Sequence, residues 1–237
     1  LPDQSLAIKI TEANQACEQI WRRCRAENDW QSLLPHLEKV VDLQRQKADL
    51  LSQKTGSNPY DCLIGMFCPD LTQTQIDPLF NQLKSTLPEL IKSRQSSMTQ
   101  RIDLPALTVD DQQRLALTIT RTMGLEPDSF RLDSSHHPFS TGTLSDVRIT
   151  TRYQTDYPLS SLTGVFHEVG HALYEQQLPY CATDQCINRS YGMVIHESQS
   201  LLMEKMICSS MPFLNFLAQQ VKQQTGIECD ATELHAA

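Results

Sequence analysis

One decapeptide constrains this chain more than any other stretch: Phe166-His167-Glu168-Val169-Gly170-His171-Ala172-Leu173-Tyr174-Glu175. It contains a His-Glu-x-x-His pattern, whose chemistry needs a helix. On a helix, His167 and His171 lie four residues apart on one face, where two neutral imidazoles can grip one metal ion. Glu168 sits about 100° around the same helix and can reach a water on that ion from the side. The flanks supply the helix. Leu162, Val165, Phe166, Val169, Ala172 and Leu173 recur at helical spacing and would face a core. Ser160 or Ser161 is expected to cap the start, and Pro179 to stop the run. Gly170 costs a helix about 1 kcal/mol relative to Ala, which predicts that something packs closely against it. The alternative is a pair of surface histidines on an amphipathic helix.

A length of 237 residues suits one large domain or two small ones. With 40% hydrophobic and 20% charged residues, the chain can bury a globular core. A net charge of −8 argues against a nucleic-acid partner, because phosphate binding needs a basic surface. No apolar run approaches the roughly 18 residues of a membrane span, and no signal peptide is visible. The chain starts at Leu1 and not Met, which points to a processed or trimmed chain or a fragment. The cysteines Cys17, Cys24, Cys62, Cys68, Cys181, Cys186, Cys208 and Cys229 are dispersed, as in a reduced cytoplasmic protein. Cys181 and Cys186 are a close pair in a polar loop. They read as free thiols, with a disulfide or a second metal site as the sharper alternatives.

The first half reads as helical scaffold, spanning residues 1–124. Helices are expected over 4–29, 35–54, 73–98 and 109–123, with a short one near 60–66 and a break at Gly56-Ser57-Asn58-Pro59. Pro35 falls near the start of the second helix, and Pro88 is placed to bend the third. Residues 125–145 are polar and rich in Ser, Asp, Pro and Gly, hence a loop, and they carry His136-His137-Pro138-Phe139. Residues 146–153 alternate as a strand should. Val147, Ile149, Thr151 and Tyr153 share one face; Asp146, Arg148, Thr150 and Arg152 share the other. A last helix is expected from Met193 to Ser209. It carries His196-Glu197-Ser198-Gln199-Ser200, with Glu197 placed 26 positions after His171. If the two helices pack antiparallel, Glu197 comes level with the two histidines. His-His-Glu with an open position is a catalytic and not a structural zinc set; otherwise Glu197 is a surface carboxylate.

Four segments together resemble the carboxypeptidase Taq family, the M32 metallocarboxypeptidases. They are HPF at His137 to Phe139, DVRIT at Asp146 to Thr150, HEVGH at His167 to His171, and HESQS at His196 to Ser200. Asn58-Pro59-Tyr60-Asp61-Cys62-Leu63 is also similar, and the resemblance covers essentially the whole chain. It implies a mainly α, gluzincin-like architecture with a small β-sheet near residues 146–153. Residues 125–237 would form the metal-site region of the same catalytic domain. It implies His167, His171 and Glu197 as ligands of zinc (or cobalt) and Glu168 as general base. It places Asp146, Arg148 and Thr150 in a motif that buttresses the site, and His137 near the substrate cleft. Peptides would be the substrates, and the whole protein a cytoplasmic homodimer. Family members run to roughly twice this length, and their further half holds the arginine motif that reads the substrate's terminal carboxylate. The chain is therefore expected to be a piece of a longer carboxypeptidase. The competing functions are a gluzincin endopeptidase or aminopeptidase, or an inactive helical fragment.

Overall fold

The computed structural model describes residues 4–95, 104–179 and 189–236. It divides into two units, Leu1–Pro88 and Glu89–Ala237. In the first, helix α1 (Gln4–Glu27) and helix α2 (Trp30–Thr55) form a hairpin. Its two-residue link works because Asn28 adopts a left-handed φ of 55° and Asp29 caps α2 by accepting the Ser32 amide at 3.1 Å. That cap starts α2 five residues ahead of the expected Pro35, which lies inside the helix. The hairpin is held by buried Leu6, Ala13 and Leu43, with Ile10, Val40 and Leu50 against them. Val41, next to Val40 in sequence, is exposed. A short helix α3 (Pro59–Ile64) begins on the Asn58 cap. Helix α4 (Gln73–Gln95) runs through the division between the units. Its expected apolar stripe forms, yet Leu79, Phe80, Leu83, Leu87 and Leu90 all stand exposed.

The second unit opens with α5 (Val109–Thr122), whose Thr108 cap accepts the Asp111 amide. A three-stranded sheet follows: β1 (Phe130–Ser134), β2 (Phe139–Thr143) and β3 (Asp146–Thr151). The strand order is β1-β3-β2, with β1 parallel and β2 antiparallel to β3. Only β3 was legible as a strand. The region 125–145, expected to be a loop, supplies both of its neighbours. Their polar composition suits edge strands, which need only one face apolar and gain their backbone partners from the central strand. Leu132 and Ile149 pair in register between β1 and β3, and both are buried.

Helix α6 (Pro158–Gln176) lies across this sheet. It starts earlier than either serine, with Pro158 in its first turn and no side-chain cap. A proline there lacks an amide that would be unpaired in any case, and its fixed φ already suits a helix. Ser161 instead works inside the core: its single hydroxyl hydrogen is shared between Gln112 Oε1 at 2.5 Å and the Pro158 carbonyl at 2.8 Å. Helix α7 (Gly192–Leu201) continues as a π-helical stretch (Leu202–Ile207), followed by α8 (Met211–Thr225) and α9 (Ala231–Ala236). Leu115 and Ile119 of α5, Val147 and Ile149 of β3, Leu162, Val165 and Val169 of α6, and Leu217 and Val221 of α8 close one apolar core. The Phe166 and Phe213 rings meet edge to face at 5.3 Å. Helix α6 is thus buried on most sides, the setting in which a helix can hold functional groups rigidly. Among the described residues, no helix is long and apolar enough to cross a membrane.

Candidate metal centre

The predicted helical pair is formed: His167 and His171 lie on one face of α6 with ring centroids 4.9 Å apart. What brings the third group to them is Gly170. A Cβ there would sit 2.5 Å from Ser200 Cα and 2.7 Å from the Gln199 carbonyl oxygen, both backbone atoms of α7. The missing side chain therefore lets the two helices touch backbone to backbone. Glu197, one turn before Ser200, arrives beside the histidines as a result. Its carboxylate lies 3.7 Å from His167 Nε2 and 3.5 Å from His171 Nε2.

One donor atom from each of the three residues falls within 4.8 Å of the others. Tetrahedral zinc ligands at about 2.0–2.2 Å from the ion lie about 3.4 Å from one another, so the set fits a divalent cation with a fourth position open. Charge state agrees with this. Burial, helped by the neighbouring His196 and His167, pushes the His171 imidazole down to about 4, which keeps it neutral and able to donate a lone pair. Glu168 is buried, and that burial pushes its carboxyl up to about 7; His167 and His137 oppose the rise, and Glu197 adds to it. A carboxyl poised there can take up and return a proton near neutral pH.

A cleft of about 640 Å³ opens onto Glu168 and His167, with His137, Pro138, Glu204 and Lys205 among its walls. His137 is held in place from the sheet: Thr150 Oγ1 donates to the His137 carbonyl at 3.2 Å and accepts the Phe139 amide at 3.1 Å. Pro138 rests on Gly164 of α6, where a Cβ would meet its Cγ at 3.4 Å. Asp146 and Arg148 lie elsewhere. They stand exposed on the outer face of β3 and pair with each other at 3.0 Å. The sheet grips the metal helix through its inner face, where Thr151 Oγ1 donates to the Ser161 carbonyl at 2.9 Å.

Four side chains around the centre had no role in the sequence reading. His167 Nδ1 lies 2.9 Å from Glu204 Oε2, and Lys205 Nζ lies 2.5 Å from Glu204 Oε1. Burial works to raise the Glu204 carboxyl, but hydrogen bonds from Lys205 and His167 outweigh it and hold the group below its ordinary value. His171 Nδ1 lies 2.6 Å from His196 Nδ1, and His196 Nε2 lies 2.8 Å from Glu175 Oε1. Spacing could have flagged two of them: Glu204 follows Glu197 by two helical turns, and Glu175 follows His171 by one. Cys17, Cys24, Cys62, Cys68, Cys208 and Cys229 are free thiols; Cys181 and Cys186 lie outside the described residues.

The family model of the carboxypeptidase Taq (M32) metallopeptidases matches residues 2–236. Thermostable carboxypeptidase 1 of Thermus thermophilus is 33% identical over 222 residues, covering 89% of this chain and 43% of that protein. The Trypanosoma cruzi metallocarboxypeptidase 1 structure superposes with a TM-score of 0.80 at 30% identity, over 98% of this chain and 48% of the other. The M32 carboxypeptidase of Deinococcus radiodurans R1 gives 0.82 at 26% identity, over 99% and 48%. The chain thus spans less than half the length of the relatives it matches.

Proposed function

Because the chain belongs to the carboxypeptidase Taq (M32) metallopeptidase family, we propose that it carries the metal-binding half of a carboxypeptidase that hydrolyses the C-terminal bond of peptides. The observation that supports this best is the convergence of His167, His171 and Glu197 across the Gly170–Ser200 contact. In this reading His167 and His171 give two neutral nitrogen ligands and Glu197 a carboxylate oxygen, a set suited to zinc and also to cobalt. An ion held there supplies Lewis acidity to a substrate carbonyl and lowers the pKa of a water. Glu168 accepts the proton from that water and delivers it to the leaving amine. Burial, which in the metal-free chain pushes this carboxyl up to about 7, favours its taking up that proton. The cleft walled by His137 and Lys205 would take the substrate beside Glu168.

Asp146 and Arg148 belong to this reading as a brace on the outer face of the central strand β3, and Thr150 as the residue that sets the His137 loop. The scaffold of residues 1–124, the metal-site region of 125–237, a cytoplasmic setting and a homodimeric whole protein complete it. The test is hydrolysis of N-blocked dipeptides by the whole protein, with free and with amidated C-termini, alongside elemental analysis. Release of a residue from free but not amidated peptides, with one metal per chain, is expected. Equal cleavage of both would make it an endopeptidase or aminopeptidase. Full activity in a Glu168→Gln variant would remove the proposed base.

A further inference from the structure

Both metal histidines are engaged on both ring nitrogens, and the partners differ. On His167, Nε2 faces Glu197 at 3.7 Å and Nδ1 faces Glu204 at 2.9 Å. On His171, Nε2 faces Glu197 at 3.5 Å and Nδ1 faces His196 at 2.6 Å. We infer that Glu204 and the His196–Glu175 pair are positioning residues that fix both imidazoles as the Nδ1–H tautomer, leaving both Nε2 lone pairs bare and turned toward Glu197. This rests on the metal reading of the site proposed above.

The proton assignment follows from what each group can do. Glu204 is paired with Lys205 and, as a carboxylate, can only accept, so the hydrogen of the short contact belongs to His167 Nδ1. A neutral ring then has no hydrogen on Nε2. The second histidine is set through two links. Glu175 also accepts only, so His196 carries its hydrogen on Nε2. In a neutral ring His196 Nδ1 is then a bare lone pair, and His171 Nδ1 is the donor across the 2.6 Å contact. The Tyr174 ring stands edge-on to His196 at 5.1 Å and an interplanar angle of 80°. Every proton in the five-residue network is therefore determined, and no two donors face each other.

The arrangement has a consequence for binding. A free imidazole in water prefers the opposite tautomer, with hydrogen on Nε2. A site that must switch tautomers on binding loses affinity by that amount; this one is pre-set. One helix does most of the work. Glu197 offers a ligand oxygen, His196 beside it orders His171, and Glu204 two turns on orders His167. Glu204 sits in the π-helical stretch Leu202–Ile207, where the Cys208 amide reaches back five residues to the Met203 carbonyl. Such wide turns recur at functional sites.

The test uses the full chain, labelled with nitrogen-15 and freed of metal. Long-range proton–nitrogen correlation reads which nitrogen of each ring carries hydrogen. Both His167 and His171 are expected to show a protonated Nδ1 and a bare Nε2. Glu204→Leu should disturb His167 alone and His196→Leu should disturb His171 alone, so each variant contains its own control for folding. His196→Asn, whose Oδ1 can accept in place of Nδ1, should restore the His171 tautomer. Competition titration with zinc should give a loss of about 10–100-fold for Glu204→Leu and for His196→Leu, most of it recovered in His196→Asn. Hydrogen on Nε2 of either ring in the unsubstituted chain overturns the inference. So do substitutions that move both rings together, or zinc affinities that stay unchanged. A chain with the expected tautomers that binds no zinc would refute the metal reading and leave the proton assignment standing.

Discussion

Replacing Gly170 by Ala tests whether the α6–α7 contact sets the metal centre. The new Cβ would lie 2.5 Å from Ser200 Cα, 2.7 Å from the Gln199 oxygen and 3.0 Å from the Ser200 nitrogen. Comfortable carbon contacts begin at about 3.5 Å, so α7 must retreat by about 1 Å. No flexible side chain can yield in its place, since all three atoms are backbone. Glu197 travels with that helix. Metal sites tolerate errors of only about 0.2 Å in ligand distance, so its carboxylate leaves bonding range unless the helix distorts. A disturbed outer contact alone costs about 10–100-fold in affinity, or ~1.4–2.7 kcal/mol, and a displaced ligand should cost at least that. Stability responds differently. Overpacking costs about 1–3 kcal/mol, and the helix gains about 1 kcal/mol from losing a glycine, so the metal-free chain should lose ~0–2 kcal/mol. Gly164 is the control: its Cβ would meet Pro138 Cγ at 3.4 Å and Thr151 Oγ1 at 3.5 Å, close to ordinary contact. Gly164→Ala should keep zinc affinity. Zinc competition and urea unfolding measure both quantities. A Gly170→Ala chain that binds zinc normally and is about 1 kcal/mol more stable would refute the reasoning.

Further outcomes follow from the same geometry. Gln112 is fully buried; its Nε2 donates to the Leu107 and Gln154 carbonyls at 2.9 and 3.0 Å. Gln112→Leu strands both oxygens and should cost about 2–4 kcal/mol in denaturant unfolding; a change under 1 kcal/mol would contradict that. In the chelated chain, Glu168 holds a proton in the folded state between pH 4.5 and about 7 that the unfolded state has released. Its contribution is full below 4.5 and is lost as pH rises through about 7, amounting to about 3 kcal/mol. His171, pushed down from 6.5 to about 4, acts the other way: its contribution is present above 6.5 and lost as pH falls toward 4. The two slopes oppose each other between pH 4.5 and 6.5. Glu168→Gln should therefore unmask a rise in stability across that window and abolish the fall above it, and parallel pH profiles for the two chains would contradict the assignment. Finally, zinc at a hundred times its Kd should raise unfolding free energy by about 2.7 kcal/mol, and a chelator should reverse this. A melting temperature indifferent to both would exclude a site formed only in the folded chain.

Local order was written plainly in the residues. Helical periodicity located α1, α5 and α6, and alternation located β3, because each depends on contacts within a few residues. The His-Glu-x-x-His spacing placed two imidazoles on one face, and Gly170, a poor helix former, announced a close neighbour. The polar segment around β1 and β2 concealed its strands, since edge strands take their order from β3 and not from their own side chains. The stripe on α4 formed as a helix face whose leucines stand exposed among the described residues. Placement of Glu168 beside a cleft, the bringing of Glu197 to within 3.7 Å of both Nε2 atoms, and the engagement of Glu204 and His196 belong to tertiary structure alone. Asp146 and Arg148 illustrate the same division: alternation put them on one face, and only packing decided that this face looks outward. The physical reason is one of range. Backbone dihedrals answer to neighbours in sequence, whereas the spacing between α6 and α7 answers to a steric fit between residues 170 and 200, thirty positions apart, which no local pattern records.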